Sequence, residues 1–272
     1  MSRRVLAALV PAALLMGAPL RTGLAERAPD PPGAERPAWL GVGYEDGRRG
    51  VRIKEVIEGT PAERAGLVVG DEIVRLDGSA LTAGDDLKSR LDARKSGETV
   101  VLEVARGGRR FHLRVALATR LEPEEILQRR RLGKPAPVFD LPLASGAGAG
   151  DLERLRGKVV VVEFLATWCE ACRTTYRALA DLERRRSGDG LVVLGIGDES
   201  DAALRALAGL EQLPFALVRD IGGKARTDYG VTDLPTIMVI DRAGVVCYVG
   251  IGPGLPVDHA LFAAERALGS RP

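Results

Sequence analysis

Residues 159–165 read Val-Val-Val-Val-Glu-Phe-Leu, an almost unbroken apolar run that predicts a strand covered on both faces. Past it, helical and strand periods alternate. Residues 169–186 read as a helix, 191–195 as a strand, 201–210 as a helix and 215–218 as a strand. Residues 236–240 and 245–249 pair as a hairpin across Asp241-Arg242-Ala243-Gly244, and 257–268 form a further helix. Such alternation predicts an α/β sandwich with a mixed sheet.

The first half of the chain has a different rhythm. Residues 39–44 and 50–56 read as strands. Thr60 suits the cap of a short helix, Pro61 its first position and Gly66 its end. Residues 71–76 read as a strand followed by the turn signal Asp77-Gly78. Leu87 and Leu91 form an i, i+4 pair on a helix over 85–95. Residues 100–105 and 111–117 make a hairpin over Arg106-Gly107-Gly108-Arg109. This predicts a strand-rich domain over 38–118, a charged linker helix over 119–132 and the α/β domain over 133–272. Residues 140–151 read as a Ser/Gly/Ala loop.

Composition narrows the chemistry. The 272 residues suit two domains, and a hydrophobic fraction of 46% is enough to bury both cores. A net charge of +2, from 39 basic and 37 acidic residues, argues against nucleic acid as a partner. Two histidines and three cysteines show no metal-ligand spacing, so no metal is expected. At the N-terminus, Arg3 and Arg4 precede an apolar run from Val5 to Leu20, broken by Pro11, Gly17 and Pro19. Small residues follow at Gly23 and Ala25, which predicts a signal peptide over 1–25 and export to the periplasm or another extracytoplasmic space. An uncleaved membrane anchor is the other reading, although the run falls short of the ~20 residues a span needs. Residues 26–37 read as a Pro-rich linker.

Cys169-Glu170-Ala171-Cys172 follows the buried strand at the entry to a helix. Spacing of three puts both sulfurs on one helical face and within reach of a disulfide. Unpaired N–H groups and the helix dipole favour an anion at the first cysteine, which places its thiol pKa at about 3.5–7.5. Cys169 is then the attacking thiolate, and Cys172 resolves the mixed disulfide. No second pair exists to complete four zinc ligands. A purely structural bridge closing so small a loop would add little stability.

The stretch from Val159 to Cys172 resembles the active site of thioredoxin-like proteins, and more narrowly the exported TlpA/ResA group of thiol–disulfide oxidoreductases. Residues 133–140, Gly-Lys-Pro-Ala-Pro-Val-Phe-Asp, are similar to the start of that domain. Residues 198–218 resemble its helix–strand insertion, and Leu234-Pro235-Thr236 its cis-proline segment. The resemblance implies a thioredoxin fold over about 133–270 and no cofactor beyond the redox-active Cys169–Cys172 disulfide. It implies roles residue by residue. Glu163, six residues before Cys169, is a buried acid that exchanges a proton with Cys172. Pro235 follows a cis bond, and Leu234 and Thr236 flank the place where client backbone pairs. Trp168 shields the thiolate or simply packs. Clients are protein thiols and disulfides, and a membrane thiol donor supplies the electrons. Glu170 opposes ionisation of the thiol and resembles the ResA type, which points to a reductant. Ala171 departs from the proline many relatives carry there. Cys247 is expected as an inert buried thiol.

Residues 38–118 resemble a PDZ domain of the HtrA type, a partly open barrel with two helices. The resembling segments are Trp39-Leu40-Gly41-Val42-Gly43, residues 58–67 and residues 70–78. The resemblance implies that Gly41 and its neighbours receive a peptide C-terminus that adds as a strand. Leu40, Val42, Leu87 and Leu91 would line the pocket for its last side chain or form ordinary core. The glycines do not meet dinucleotide-binding spacing, and no Ser/His/Asp set is evident. Two functions follow: a disulfide reductase with PDZ-recruited clients, or a peptide-binding adaptor whose thioredoxin fold is only structural.

Overall fold

Gly41 splits the first expected strand into β1 (Ala38–Trp39) and β2 (Val42–Asp46). Its φ is +89°, and a Cβ there would lie 2.2 Å from the Thr60 Cβ, so glycine alone fits. This computed structural model describes residues 36–269; the expected signal peptide and most of its linker lie outside them. β3 (Val51–Val56), α1 (Pro61–Arg64), β4 (Glu72–Leu76), β5 (Ser79–Ala80) and α2 (Gly84–Asp92) follow. The hairpin β6 (Thr99–Arg106) and β7 (Arg109–Ala116) precedes β8 (Ala118–Thr119), which pairs with β1. The sheet runs β2-β3-β4-β6-β7, with antiparallel neighbours and β2 at one end. Thr60 occupies the cap position of α1 without capping it. Its hydroxyl faces the carbonyls of Ile57 at 2.6 Å and Gly41 at 3.3 Å instead, which fastens the Gly41 loop to α1. Asp77 and Gly78, both at positive φ, make the two-residue turn between β4 and β5.

After α3 (Pro123–Arg131) the second domain builds a six-stranded mixed sheet. Its elements are β9 (Leu143–Ser145), β10 (Val159–Phe164), α4 (Glu170–Arg186), β11 (Leu191–Gly197), α5 (Asp201–Glu211) and β12 (Ala216–Arg219). They continue with α6 (Lys224–Tyr229), β13 (Thr236–Ile240), β14 (Val246–Ile251) and α7 (Leu255–Gly269). Strand order is β14-β13-β10-β11-β12-β9, with β10, β11 and β12 parallel and the others antiparallel to their neighbours. β10 is central and buried throughout. Val159 and Val161 face the cluster that holds Cys169, Cys172 and Tyr176, while Val160, Val162 and Phe164 face Phe139 and Tyr229. Two covered faces explain the unbroken apolar run.

Two elements of the second domain exceed the sequence expectation. β9 lies inside the expected loop and is held by pairing with β12 at Leu217 and Val218. α6 forms where the Asp220 carboxylate accepts from the N–H groups of Ala225 (2.9 Å) and Arg226 (2.8 Å). α3 bridges the two domains. Its Leu127 is buried in the core of the second domain, and Gln128 Nε2 donates to the Val249 carbonyl at 3.2 Å. Arg131 donates to the carbonyls of Tyr229 and Asp228 at the end of α6. Toward the first domain, Arg129 donates to the Glu58 carbonyl at 3.0 Å and Arg130 pairs with Glu55. No helix among the described residues is long and apolar enough to cross a membrane.

Candidate active site

Cys169 is the N-cap of α4, and its sulfur accepts from the Cys172 backbone N–H at 3.1 Å. That first-turn N–H is shared between the Cys169 sulfur and the Cys169 carbonyl, 3.2 Å away, and it can stabilise a thiolate at the helix start. The two cysteines form a disulfide with Cα atoms 5.3 Å apart. They differ in access: Cys169 is 7% exposed and Cys172 0%. The loop between β10 and α4 is tied down by Glu199, whose Oε1 accepts from the Thr167 N–H at 2.6 Å. Glu170 is exposed and stands 3.6 Å from Arg173, which offsets part of its charge beside the sulfur.

Glu163 is fully buried on the α4 side of the sheet. Removal from water pushes its carboxyl from 4.5 up to about 8, so it is mostly protonated at neutral pH. Its Oε1 is hydrogen-bonded to the Thr175 hydroxyl, which also lies 2.7 Å from the Cys172 carbonyl. Its Oε2 is buried without a partner. Thr175 was not legible as a site residue; the available signal was a polar side chain three residues past Cys172 on the buried face of the helix.

The Leu234–Pro235 peptide is cis. Pro235 is buried, and Thr236 opposite Phe164 in the ladder brings this turn beside the end of β10. The Thr236 side chain is buried, and its hydroxyl donates to the Asp233 carbonyl at 2.6 Å, so it shapes the turn from within. Leu234 is half-buried against both cores, whereas Trp168 stands 63% exposed next to Cys169.

The PDZ domain family matches residues 38–117, and the AhpC/TSA family matches residues 132–249. The thiol:disulfide interchange protein DsbE of Pseudomonas fluorescens biotype C is 38% identical over 152 residues, which are 54% of this chain and 79% of that protein. The chain belongs to the thiol:disulfide interchange proteins. The thiol-disulfide oxidoreductase ResA of Bacillus thuringiensis (strain Al Hakam) is 31% identical over 46% of this chain and 72% of its own. A crystal structure of a thioredoxin-family thiol:disulfide interchange protein from Chlorobium tepidum TLS covers 50% of this chain and 97% of its own. It has 26% identity and a TM-score of 0.45.

This interchange protein is therefore a thiol–disulfide oxidoreductase, with a PDZ domain joined to a thioredoxin-fold domain. In the PDZ domain Leu40, Leu87 and Leu91 pack in the core, and Val42 is half-buried at its margin. Gly41 turns the chain between β1 and β2, and its carbonyl accepts from the Ile57 N–H at 3.0 Å. β2 has no strand on its outer side among the described residues, and Asp46 near its end accepts from the Gly84 N–H of α2 at 2.8 Å. One expectation is corrected. Cys247 is exposed, because the register between β13 and β14 shifts there: Val246 faces Ile240 while Tyr248 faces Val239, leaving Cys247 as the extra bulged residue. Its thiol is nonetheless pushed up to about 11, by partial burial first and Asp241 second.

Proposed function

We propose that the protein is exported and reduces disulfides in client proteins, with the PDZ domain holding client C-termini near the redox site. The observation that carries this reading is the asymmetric cysteine pair: a helix-capping Cys169 that keeps a small exposed surface, beside a fully buried Cys172. Reduced Cys169 attacks a client disulfide as thiolate, and one client sulfur leaves as a thiolate. Glu163 takes the proton of Cys172, whose sulfur then attacks Cys169. The Cys169–Cys172 bond forms, the Cys169–client bond breaks, and the second client sulfur departs reduced. Two electrons pass to the client, and a membrane thiol donor restores the dithiol. Leu234 and Thr236 beside Pro235 offer backbone for the client strand, and Trp168 covers the approach.

Recruitment rests on β2 as an open edge beside the Gly41 turn. A client strand adding there would present its carboxylate to the N–H groups around Leu40-Gly41-Val42, with Leu87 and Leu91 behind the last side chain. The tether raises the local concentration of client near Cys169 to the millimolar range expected of a short linker. The test compares turnover of insulin, a small disulfide, and disulfide peptides with free or amidated apolar C-termini. A preference for free C-termini, absent with the small disulfide, is expected. Equal rates for free and amidated peptides overturn recruitment, and no insulin reduction overturns the reductase reading.

A further inference from the structure

Thr175 has one hydroxyl proton and two neighbours that can both accept it. The Cys172 carbonyl, 2.7 Å away, can only accept, and Glu163 Oε1 is the other partner. All three groups are satisfied together in one arrangement: the Glu163 carboxyl O–H donates to Thr175 Oγ1, and the Thr175 O–H donates to the Cys172 carbonyl. An ionised Glu163 has no proton to give. The Thr175 proton must then turn to the carboxylate and leave the Cys172 carbonyl. No other described side chain bonds to Glu163, and Oε2 is buried without a partner.

We propose that Thr175 is a positioning residue, a two-position hydroxyl that couples the proton on Glu163 to the backbone of the resolving cysteine. This rests on the reading of Glu163 as the base for Cys172. In the resolving step the Cys172 S–H proton goes to the Glu163 carboxylate, and the Cys172 thiolate attacks the Cys169 sulfur. The Cys169–client bond breaks as the Cys169–Cys172 bond forms, and the client sulfur leaves with the electron pair. While Glu163 is ionised, Thr175 donates to it; once Glu163 holds the proton, Thr175 returns to the Cys172 carbonyl. The other titratable groups packed on this side include Cys169, Cys172 and Tyr176 on or beside α4 and Tyr248 on β14. The flanking ladder partners Gly195 and Ile237 carry none.

Burial dominates the raised carboxyl, and the Thr175 hydroxyl works against it by favouring the ionised form. Hydrogen bonds to charged groups are stronger than neutral ones, so removing the hydroxyl costs the carboxylate more than the acid. Glu163 therefore becomes harder to ionise without Thr175. The experiment follows release of a fluorescent thiol from Cys169 in a single turnover of the full chain, from about pH 6 to pH 10. Thr175→Val should slow resolution at neutral pH about tenfold and move its pH profile upward. Thr175→Ser should restore both, and neither should alter the first attack by Cys169. An unchanged Thr175→Val profile, or a folded Thr175→Ser as slow as Thr175→Val, overturns the proposal.

Glu163→Gln separates the two ideas. If it resolves like wild type, the base role of Glu163 falls; if it is slow while Thr175→Val is normal, only the role of Thr175 falls. A measurement on the wild-type oxidised protein, in which neither Cys169 nor Cys172 titrates, guards against a variant that misfolds. The carbon-13 shifts of the Glu163 carboxyl and the Cys172 carbonyl should titrate with one midpoint. A Cys172 carbonyl that ignores the titration of Glu163 overturns the coupling.

Discussion

Arg130 grips Glu55 across the domain boundary, with Nε 2.9 Å from Oε1 and Nη2 2.5 Å from Oε2. The pair is partly exposed, so an ordinary value of roughly 0.2–1 kcal/mol applies, with the two-pronged geometry favouring the upper end. A double-mutant cycle of Glu55→Ala and Arg130→Ala, read by urea unfolding, should give a coupling of about 1 kcal/mol. A coupling of zero would mean that Leu127 and the backbone contacts alone seat α3.

Cys172→Ser should accumulate mixed disulfides with insulin at Cys169, because the sulfur that completes exchange is gone. Mass spectrometry of the trapped adduct identifies the attached residue. A reduced protein alkylated first at Cys172 in mild acid would reverse the assigned roles. Cys247 should react slowly at neutral pH despite its exposure, since its raised pKa keeps it a thiol.

Glu163 also shapes stability against pH. Its carboxyl sits near 8 when folded and starts from 4.5, so the native state holds the proton more tightly. Its favourable contribution is complete below about pH 4.5 and is lost as pH rises toward 8, at about 1.4 kcal/mol per pH unit within that window. Glu163→Gln cannot ionise and should gain on the wild type steadily from about pH 5 to pH 8. Urea unfolding at several pH values checks this, and a constant difference would show that burial does not hold the proton on Glu163.

Gly41→Ala forces an alanine to φ +89° with its Cβ inside the Thr60 side chain. The backbone alone costs roughly 1–2 kcal/mol, and the contact adds to it. The unfolding midpoint should fall, and binding of a free C-terminal peptide should vanish with the displaced loop. An alanine variant of wild-type stability would mean that the Gly41 turn relaxes freely.

Much of this was legible because short-range signals agreed with long-range placement. The run from Val159 to Phe164 is apolar but for Glu163 because both faces are covered, and Asp77-Gly78 turns because both residues take positive φ. The cysteine spacing was legible for the same reason: both sulfurs and the first-turn N–H group beside them lie within one helical turn. The misses are positions whose state depends on distant partners. β9 is three residues that become a strand only against β12, and Cys247 is turned outward by a register shift. Thr60 reads as a cap, yet its hydroxyl turns to the carbonyls of Ile57 and, more distantly, Gly41. Thr175 matters because β10 puts Glu163 beneath it, which a helix sequence does not reveal.

β2 leaves one row of backbone N–H and C=O groups without a strand partner among the described residues. Such an edge accepts any extended segment, and at high concentration the nearest supply is the same edge of another copy. The exposed acids Glu45 and Asp46 oppose that self-pairing only near the end of the strand. Any extended segment that adds there competes with a sister molecule for one row of hydrogen bonds, so crowding turns an open edge into a seed for aggregation.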